Sequence, residues 1–457
     1  MARATLAEAA DAPVATARSL GLVACIALVV GNMIGSGIFL LPAALAPYGA
    51  IAIVGWIVTS AGAVVLALIF GRLARLVPKT GGPYAYTAAG FGEFPGFLIA
   101  WGYWIALWAG NAAVAVAFSG YVGFFVPAVA QNGWLGLLVA LAAIWTLTWV
   151  NVRGVAEAGL VQVVTTVLKL IPLVVIAAIG LSFVQPTHFE PFNASGQGNL
   201  AAIAACAALT LWAFLGLESA TVPAGNVDRP EVTIPRATVV GTLLAATIYV
   251  LVTVVAIGTV PREELGASSA PLANVAITLF GTWGAAFVAL GACVSTLGTL
   301  NGFTLLSGQV PLGAARDGVF PQRFGRLSPQ GTPVFGLIVS NLLASGLIAM
   351  NFSKGLVDQF IFISLLATLS TLVPYAFCAL AELAIAFRSG ESPARGRLVP
   401  AVVLGVLGFL YTLGAIYGAG PDVVYLGFFL LLAGVPVYVW IKRPAAVAAP
   451  AEHTKEA

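Results

Sequence analysis

Charge is scarce in this chain. Only 8% of its 457 residues are charged, against about a quarter in soluble globular proteins. An ordinary soluble domain is therefore excluded. The net charge of +3 is small and spread over the sequence, so it offers no basic surface for nucleic acid.

Histidine and cysteine are scarce as well. His188 and His453 are the only histidines, and both lie outside the apolar runs. The four cysteines lie far apart within apolar runs, which is typical of buried free thiols rather than metal ligands. We therefore predict neither a metal site nor a cofactor. The first residues, 1–18, are polar and lack the apolar core of a removed signal peptide.

Long apolar runs dominate the rest of the chain, which is 60% hydrophobic with a mean hydropathy of +1.02. A helix crosses a bilayer with about 20 apolar residues, whereas barrel strands are short and alternating. We predict an all-α integral membrane protein of about 12 transmembrane helices. The predicted segments are 19–46, 50–77, 94–127, 133–151, 157–184, 199–224, 236–260, 273–308, 333–350, 356–387, 398–418 and 421–441.

Basic residues divide sharply between alternate loops. If the N-terminus is cytoplasmic, all but three of the 20 lysines and arginines fall in cytoplasmic loops and tails; the exceptions are Lys169, Arg262 and Lys354. Cytoplasmic loops are enriched in Lys and Arg. We therefore predict a multi-pass protein of the cell inner membrane, with cytoplasmic tails at 1–18 and 442–457.

The first segment contains residues that weaken a helix at its centre. The stretch VGNMIGSGIFLLP (30–42) holds Asn32, Gly35, Ser36 and Gly37. Lipid offers no hydrogen-bond partners, so an interrupted helix must line a cavity. The freed N–H groups favour an anion and the freed carbonyls a cation, an arrangement that suits a zwitterion. Close helix packing through small residues explains this stretch equally well by itself.

The sixth segment carries a second interruption. LWAFLGLESA (211–220) places Gly216 and the ionisable Glu218 at mid-membrane. The two breaks correspond if the chain holds repeats 19–184 and 199–387, followed by helices in 398–441. Paired interruptions of this kind indicate the central site of a transporter. A mid-membrane carboxylate is usually functional, although a structural carboxylate bonded to the backbone is the alternative.

Several long stretches together resemble one family. They are GNMIGSGIFLLPAALAPYG, PKTGGPYAYTAAGFG, YWIALWAGNAA, LWAFLGLESATVPAGNVDRPEVTIPRAT and TLVPYAF. They resemble the amino acid–polyamine–organocation superfamily, especially its bacterial basic amino-acid/polyamine antiporter branch, over residues 19–440. The resemblance implies a leucine-transporter-like fold of two inverted five-helix repeats plus two helices, with the first and sixth helices broken. It also implies a homodimer as the common assembly.

The resemblance also implies a binding site. In the family's pattern the substrate carboxylate meets the Ser36 hydroxyl and the Gly37 N–H. The substrate amine meets freed carbonyls near Met33, Trp212 and Leu215, and Trp212 covers the bound molecule.

Further residues match side-chain contacts and gates of the family. Asn111 matches a side-chain contact to the substrate. In the family, one group of residues closes beneath the bound substrate, and it matches Tyr103, Glu218 and Tyr375 here. The family's glutamate at the position of Glu218 links proton binding to transport. Tyr84 matches a residue of the cytoplasmic gate.

Three positions depart from the arginine/agmatine antiporters of the branch. Phe303 replaces a gating tryptophan, Ala367 a serine that helps to hold the guanidinium, and Val114 a methionine. Phe303 can still stack on a cation, which gains about 0.5–2 kcal/mol, but Ala367 removes a hydrogen-bond partner. The substrate is therefore predicted more firmly as an amino acid or its amine than as arginine itself.

Two further charged residues lie in or near the apolar segments. Lys169, in the fifth segment, matches a lysine that takes the place of a sodium ion in sodium-independent relatives of this fold. The alternative is a lysine that reaches interfacial water. For Glu382 we expect an interfacial ion pair with the nearby Arg388.

The leading functional hypothesis is a secondary transporter that exchanges amino acids or their decarboxylated amines by alternating access, independently of sodium. The candidate substrates are arginine with agmatine, lysine or ornithine with their diamines, and small neutral amino acids. A proton-coupled symporter of neutral amino acids and an amino-acid sensor with a transporter fold are the alternatives. A membrane enzyme would need clustered catalytic carboxylates or histidines within the spans, which the sequence lacks. The expected partners are the small-molecule substrate, membrane lipid and a second copy of the chain.

Overall fold

The computed structural model describes residues 21–78, 81–153, 155–221, 227–351, 353–388 and 395–443. The predicted tail at 1–18 lies outside the described residues. So do Lys79 and all but the first two residues of the predicted tail at 442–457.

The described chain is a bundle of helices joined by short connections. The helices are α1 (Leu22–Met33), α2 (Ser36–Leu45), α3 (Ile51–Leu76), α4 (Pro83–Phe91), α5 (Glu93–Phe125), α6 (Pro127–Gln131), α7 (Gly133–Arg153), α8 (Val155–Gly180), α9 (Asn199–Leu211), α10 (Pro230–Thr259), α11 (Arg262–Ala267), α12 (Pro271–Arg316), α13 (Val334–Asn351), α14 (Leu356–Arg388), α15 (Arg395–Gly418), α16 (Pro421–Leu432) and α17 (Gly434–Ile441).

Within the described ranges, 11 helical segments are long and apolar enough to cross a membrane, and a shorter apolar helix spans Val334–Met350. They coincide with the 12 predicted segments, so the all-helical fold of about 12 spans is confirmed. The eighth segment is longer than predicted, because α12 continues to Arg316 beyond its apolar part. A glycine bends it: Gly281 has a φ of 73°, which interrupts the helical backbone.

Both predicted interruptions are present. The first segment is helical to Met33 and resumes at Ser36, with Gly35 in a non-helical conformation between them. The sixth is helical to Leu211, continues as one 3-10 turn over Trp212–Phe214, and then loses helical geometry. The division of the chain into repeats 19–184 and 199–387 remains a prediction.

Helix α5 lies at the centre of the bundle and is the most deeply buried of the candidate spans. It packs against α12 and α14, while α3 packs against α10 and α9. The halves of the first span, α1 and α2, contact α8, α9, α10 and α12. The last span, α16 with α17, has the smallest buried share of the candidate spans. The two interruptions therefore lie inside the bundle, with the peripheral helices around them.

One end of the bundle, which we call the basic end, carries Arg72, Arg75, Arg316, Arg388 and Lys442. Arg72 on α3 forms a two-pronged ion pair with Glu382 on α14, at 2.7 and 2.6 Å. The expected pairing of Glu382 with Arg388 is therefore wrong, because the guanidinium of Arg72 takes both carboxylate oxygens.

A second polar contact joins helices at the basic end. The Tyr84 hydroxyl on α4 donates to Asp317 Oδ2, at 2.9 Å, just beyond the end of α12. Burial and this hydrogen bond to Asp317 raise the pKa of the Tyr84 phenol, so the hydroxyl stays protonated and can donate. Tyr84 therefore ties the connection before α5 to the eighth span, as a gate residue would.

Candidate functional site

The two helix interruptions touch each other. A Cβ atom on Gly37 would lie 2.8 Å from Cβ of Ala213. A Cβ atom on Gly216, which has a φ of +100°, would lie 2.9 Å from Cβ of Asn32. Real Cβ atoms do not approach so closely, so only glycine permits this contact. Asn32 Nδ2 also donates to Ser219 Oγ, at 2.8 Å, which joins the two breaks through side chains.

Helix α2 begins at the break and supplies backbone donors that have no partner within the helix. The first N–H groups of any α-helix have no partner within it, and here they belong to Ser36 and Gly37. The Ser36 hydroxyl lies beside them and accepts a hydrogen bond from Trp212 Nε1, at 3.1 Å. Both residues are buried. This end of α2 can therefore bind an anionic group of a small molecule.

Side chains hold several carbonyl groups at the breaks. The Lys169 ammonium donates to the carbonyl oxygen of Gly31 near the end of α1. Ser295 Oγ on α12 donates to Ile34 O, at 3.2 Å, and Tyr249 on α10 donates to Ala213 O, at 2.8 Å. Because Lys169 is completely buried, its ammonium does not reach interfacial water. The contact joins the fifth span to the first, and the role of Lys169 in place of a sodium ion remains a prediction.

The carbonyls expected to hold a substrate amine also have partners of their own. Met33 O accepts from the Gly35 N–H, at 2.9 Å, and Trp212 O accepts from the Leu215 N–H, at 3.3 Å. A carbonyl oxygen has two lone pairs, so each can still accept a second hydrogen bond. The two oxygens thus remain available to a bound ammonium.

Glu218 connects three spans beneath the breaks. Its Oε1 accepts from the Tyr103 hydroxyl on α5, at 2.6 Å, and its Oε2 accepts from the Tyr375 hydroxyl on α14, at 2.5 Å. All three residues are buried. The structure therefore brings together the three residues predicted to close the site, and the carboxylate bonds to tyrosine hydroxyls. We call these residues the Glu218 group.

Aromatic rings cover the opposite side of the breaks. The Trp212 ring meets Phe303 edge-on at a centroid distance of 6.3 Å and Phe360 at 6.2 Å. Phe303 also lies against Gly110, whose added Cβ would be 2.9 Å from the ring. All three aromatic residues are buried. The aromatic rings and the Glu218 group thus leave both sides of the breaks buried.

Asn111 and Ala367 lie near the site but are not seen to contact the breaks. Asn111 Nδ2 donates to Asn341 Oδ1 on α13, at 3.1 Å. Ala367 is buried on α14, two helical turns after Phe360. Their predicted roles in substrate contact remain predictions.

Comparison with known protein families matches residues 20–441 to the model for amino acid permeases. The chain belongs to the amino acid permease family. It is 33% identical over 452 residues to a putative arginine/ornithine antiporter of Bacillus subtilis, covering 91% of this chain and 96% of the relative. A cadaverine/lysine antiporter of Escherichia coli K12 is 37% identical over 371 residues, which cover 79% of this chain and 82% of the relative. A putrescine transporter of the same strain is 30% identical over 425 residues, which cover 93% of this chain and 96% of the relative. The resemblance noted in the sequence is thereby confirmed, and this permease is a multi-pass membrane protein.

Four residues of the site escaped the sequence analysis: Ser219, Ser295, Tyr249 and Phe360. Ser295 and Tyr249 serve as donors to freed carbonyls, and many serines and tyrosines occur in other apolar segments of this permease. Phe360 had a detectable signal, because a residue seven positions before Ala367 falls on the same face of a helix.

Proposed function

We propose that this chain is an antiporter that exchanges basic amino acids and their decarboxylated amines across the inner membrane. The observation that carries this proposal is the contact between two interrupted spans, where N–H groups at the start of α2 lie beside carbonyls at the end of α1. A backbone site of this kind grips the carboxylate and ammonium that all amino acids share. The names of the relatives, which cover arginine, ornithine, lysine, cadaverine and putrescine, support the basic class of substrate.

In the proposed binding mode, the substrate carboxylate lies against the Ser36 hydroxyl and the Gly37 N–H. Only glycine fits at position 35 beside this site, because an added Cβ would be 2.7 Å from Thr299 Oγ1. The substrate ammonium lies toward the Met33, Trp212 and Leu215 carbonyls. A decarboxylated amine keeps only the second set of contacts, so the same site accepts both members of an exchanged pair.

Two gates then alternate around the loaded site. Trp212, with Phe303 and Phe360, closes the path toward the end opposite the basic end. The Glu218 group, supported by the contact of Tyr84 with Asp317, closes the path toward the basic end. The closed arrangement described above corresponds to the occluded step between the two open states.

The proposal includes an orientation and an assembly. Because cytoplasmic loops are enriched in basic residues, we place the basic end, and both termini, on the cytoplasmic side. The exposed last span, α16 with α17, is available for lipid or for a second copy in a homodimer.

The ion coupling follows from two buried charges. The ammonium of Lys169 lies on the Gly31 carbonyl, which is the kind of ligand that a sodium ion would need. We therefore propose exchange that is independent of sodium. Glu218 is the proposed proton-sensitive group.

Counterflow in proteoliposomes tests the exchange. Labelled lysine, arginine or ornithine should enter vesicles only when unlabelled basic amino acid or diamine is enclosed. Uptake into empty vesicles driven by a pH gradient would instead establish proton symport. Tight binding without any flux would establish a sensor.

A further inference from the structure

A pocket opens at the basic end, between the connection that follows α12 and the start of α13. It has a volume of about 300 Å³. Its lining combines two basic side chains with three apolar ones and a serine, and consists of Arg323, Arg326, Leu327, Ser328, Val334 and Phe335. Neither interrupted span contributes to this lining, so the pocket is separate from the candidate transport site.

The two arginines of the pocket lie side by side. The segment Gln322–Gly325 forms a 3-10 turn, and the Arg326 N–H closes it by donating to Arg323 O, at 3.4 Å. Side chains three residues apart eclipse each other in such a turn, so Arg323 and Arg326 share one face. Phe324 between them is buried, whereas both arginines are exposed. The turn therefore presents two guanidinium groups together.

No carboxylate neutralises this pair of arginines. Among the described residues, the ion pairs involve the basic residues Arg72, Arg262 and Lys442. Within the same ranges, neither Arg323 nor Arg326 has a carboxylate partner. Two like charges on one face repel each other, and an anion between them relieves the repulsion. Because guanidinium groups bind phosphate oxygens through paired N–H donors, the pocket favours a phosphate group.

Hydrogen bonds hold the loop beside the pocket in place. The Ser328 N–H donates to Thr332 O, and the Gly331 N–H donates to Ser328 O, both at 2.9 Å. Thr332 Oγ1 in turn donates to Val152 O near the end of α7, at 3.1 Å. The loop is thus fixed on itself and on a neighbouring span, so the pocket is formed before a ligand binds.

The end of α7 shows the depth at which the pocket lies. Arg153 follows Val152, and its guanidinium lies 3.7 Å from the centroid of the Trp149 ring, which is exposed. Exposed tryptophan and arginine near the end of a span are typical of the boundary between lipid headgroups and hydrocarbon. Because Thr332 is bonded to Val152, the loop beside the pocket lies at the level of the headgroups.

Apolar side chains continue from the pocket along α13. Phe335, Ile338 and Leu342 are exposed, and their spacing of three and four residues puts them on one face of the helix. This apolar helix belongs to the membrane-spanning part of the bundle, so the exposed face meets lipid hydrocarbon. A soluble phosphate compound uses none of this face. A phospholipid fits the pocket with its headgroup and the face of α13 with an acyl chain.

We infer that this pocket binds one anionic phospholipid, whose phosphate lies between Arg323 and Arg326 and whose acyl chain lies along Phe335, Ile338 and Leu342. Basic pockets beside membrane spans attract anionic headgroups through the same charges. The bound lipid ties the connection between α12 and α13 to the membrane. The inference does not depend on what the central site transports.

Thermal-shift titration of the purified full-length protein in a neutral detergent measures the binding, because a ligand of the native state raises its apparent stability. The probe is dioleoylphosphatidylglycerol. Dioleoylphosphatidylcholine has the same acyl chains without a net charge, and glycerol 3-phosphate has the anionic headgroup without the chains. At equal concentrations, only phosphatidylglycerol should give a saturable shift.

Substitutions of the two arginines locate the site. Arg323→Gln and Arg326→Gln should each weaken phosphatidylglycerol binding about fivefold, and the double variant about 25-fold, as expected for one basic residue near a membrane surface in each step. Replacement of both by lysine keeps the charges and should retain most of the binding. Arg443→Gln is the matched control, because Arg443 is exposed at the basic end and lies outside the pocket. It should leave the affinity unchanged.

Equal shifts with phosphatidylglycerol and phosphatidylcholine would overturn the inference, because charge would then play no part in binding. An equal shift with glycerol 3-phosphate would also overturn it, since the ligand would be a soluble anion. A loss of affinity in Arg443→Gln as large as in the single pocket variants would show that the overall charge of the basic end attracts the lipid, without a site. If the double variant is unstable without lipid, the two single variants decide.

Discussion

The ammonium of Lys169 on the fifth span donates a hydrogen bond to the carbonyl oxygen of Gly31, near the end of the first half of the first span. This single contact joins a fully buried cation to one of the carbonyls beside the helix break. A carbonyl left without its donor at this depth is costly. The contact therefore gives this carbonyl a partner beside the break, and we propose that the ammonium takes the place of an inorganic cation there.

Lys169→Met should abolish most of the exchange, with a loss of at least about tenfold in counterflow, because the Gly31 carbonyl loses its donor. Wild-type counterflow should be equal in sodium and choline media. Lys354→Met is the matched control, since Lys354 is exposed and lies over the Phe362 ring, at the end of the bundle opposite the basic end. A sodium requirement in the wild type, or full exchange by Lys169→Met, would contradict the assignment.

Glu218→Gln should flatten the pH dependence of exchange. Two tyrosine hydroxyls donate to the carboxylate, and a proton on either oxygen competes with one of them. The gate should therefore loosen, and wild-type exchange should rise, as the pH falls. The amide has only one acceptor oxygen at every pH, so the variant should vary less than about twofold between pH 5 and 8.

Counterflow at a series of pH values measures this effect. Glu382→Gln is the control, because that carboxylate belongs to the ion pair at the basic end and should leave the shape of the pH profile intact. A wild-type profile retained by Glu218→Gln would show that another group senses the proton.

Gly216→Ala should reduce exchange to below about a tenth of the wild-type rate. Its φ of +100° disfavours any side chain, at a cost of about 1–2 kcal/mol, and the new Cβ would press on Asn32. Gly420→Ala is the control for backbone strain alone, since Gly420 has a φ of +85° and open space around it. Equal losses of counterflow in the two variants would show that contact between the breaks is unimportant.

Much of the architecture could be predicted from the sequence for a physical reason. Lipid forces each span to be a continuous apolar run, so the spans, and glycines such as Gly35 and Gly216 that interrupt them, stand out in the pattern. The grouping of Glu218 with Tyr103 and Tyr375 was predicted from the family resemblance rather than from the spacing of these residues. They join residues 115 and 157 positions apart, a distance in sequence that no local periodicity encodes.

Polar residues inside the bundle were harder to predict. Thr148 and Asn341 look like ordinary polar residues of two peripheral spans. Their hydrogen bonds to each other and to Asn111 appear only when α7, α13 and α5 are placed side by side. The pairing of Glu382 with Arg72 rather than Arg388 has the same cause. Proximity along one helix suggested Arg388, while the packing of α3 against α14 supplied a guanidinium with better geometry.

Ala367→Ser should shift the substrate preference toward arginine. The arginine/agmatine antiporters of this family carry a serine at the matching position, and the added hydroxyl would supply one acceptor for a guanidinium. The affinity for arginine relative to lysine should rise about tenfold or more, as expected for one hydrogen bond to a charged group. Competition by both amino acids against labelled ornithine in counterflow measures the ratio. Ala367→Cys is the matched control, because it adds a similar volume with only a weak acceptor. If serine and cysteine changed the ratio equally, the space near Ala367, rather than a missing hydrogen-bond partner, would set the preference.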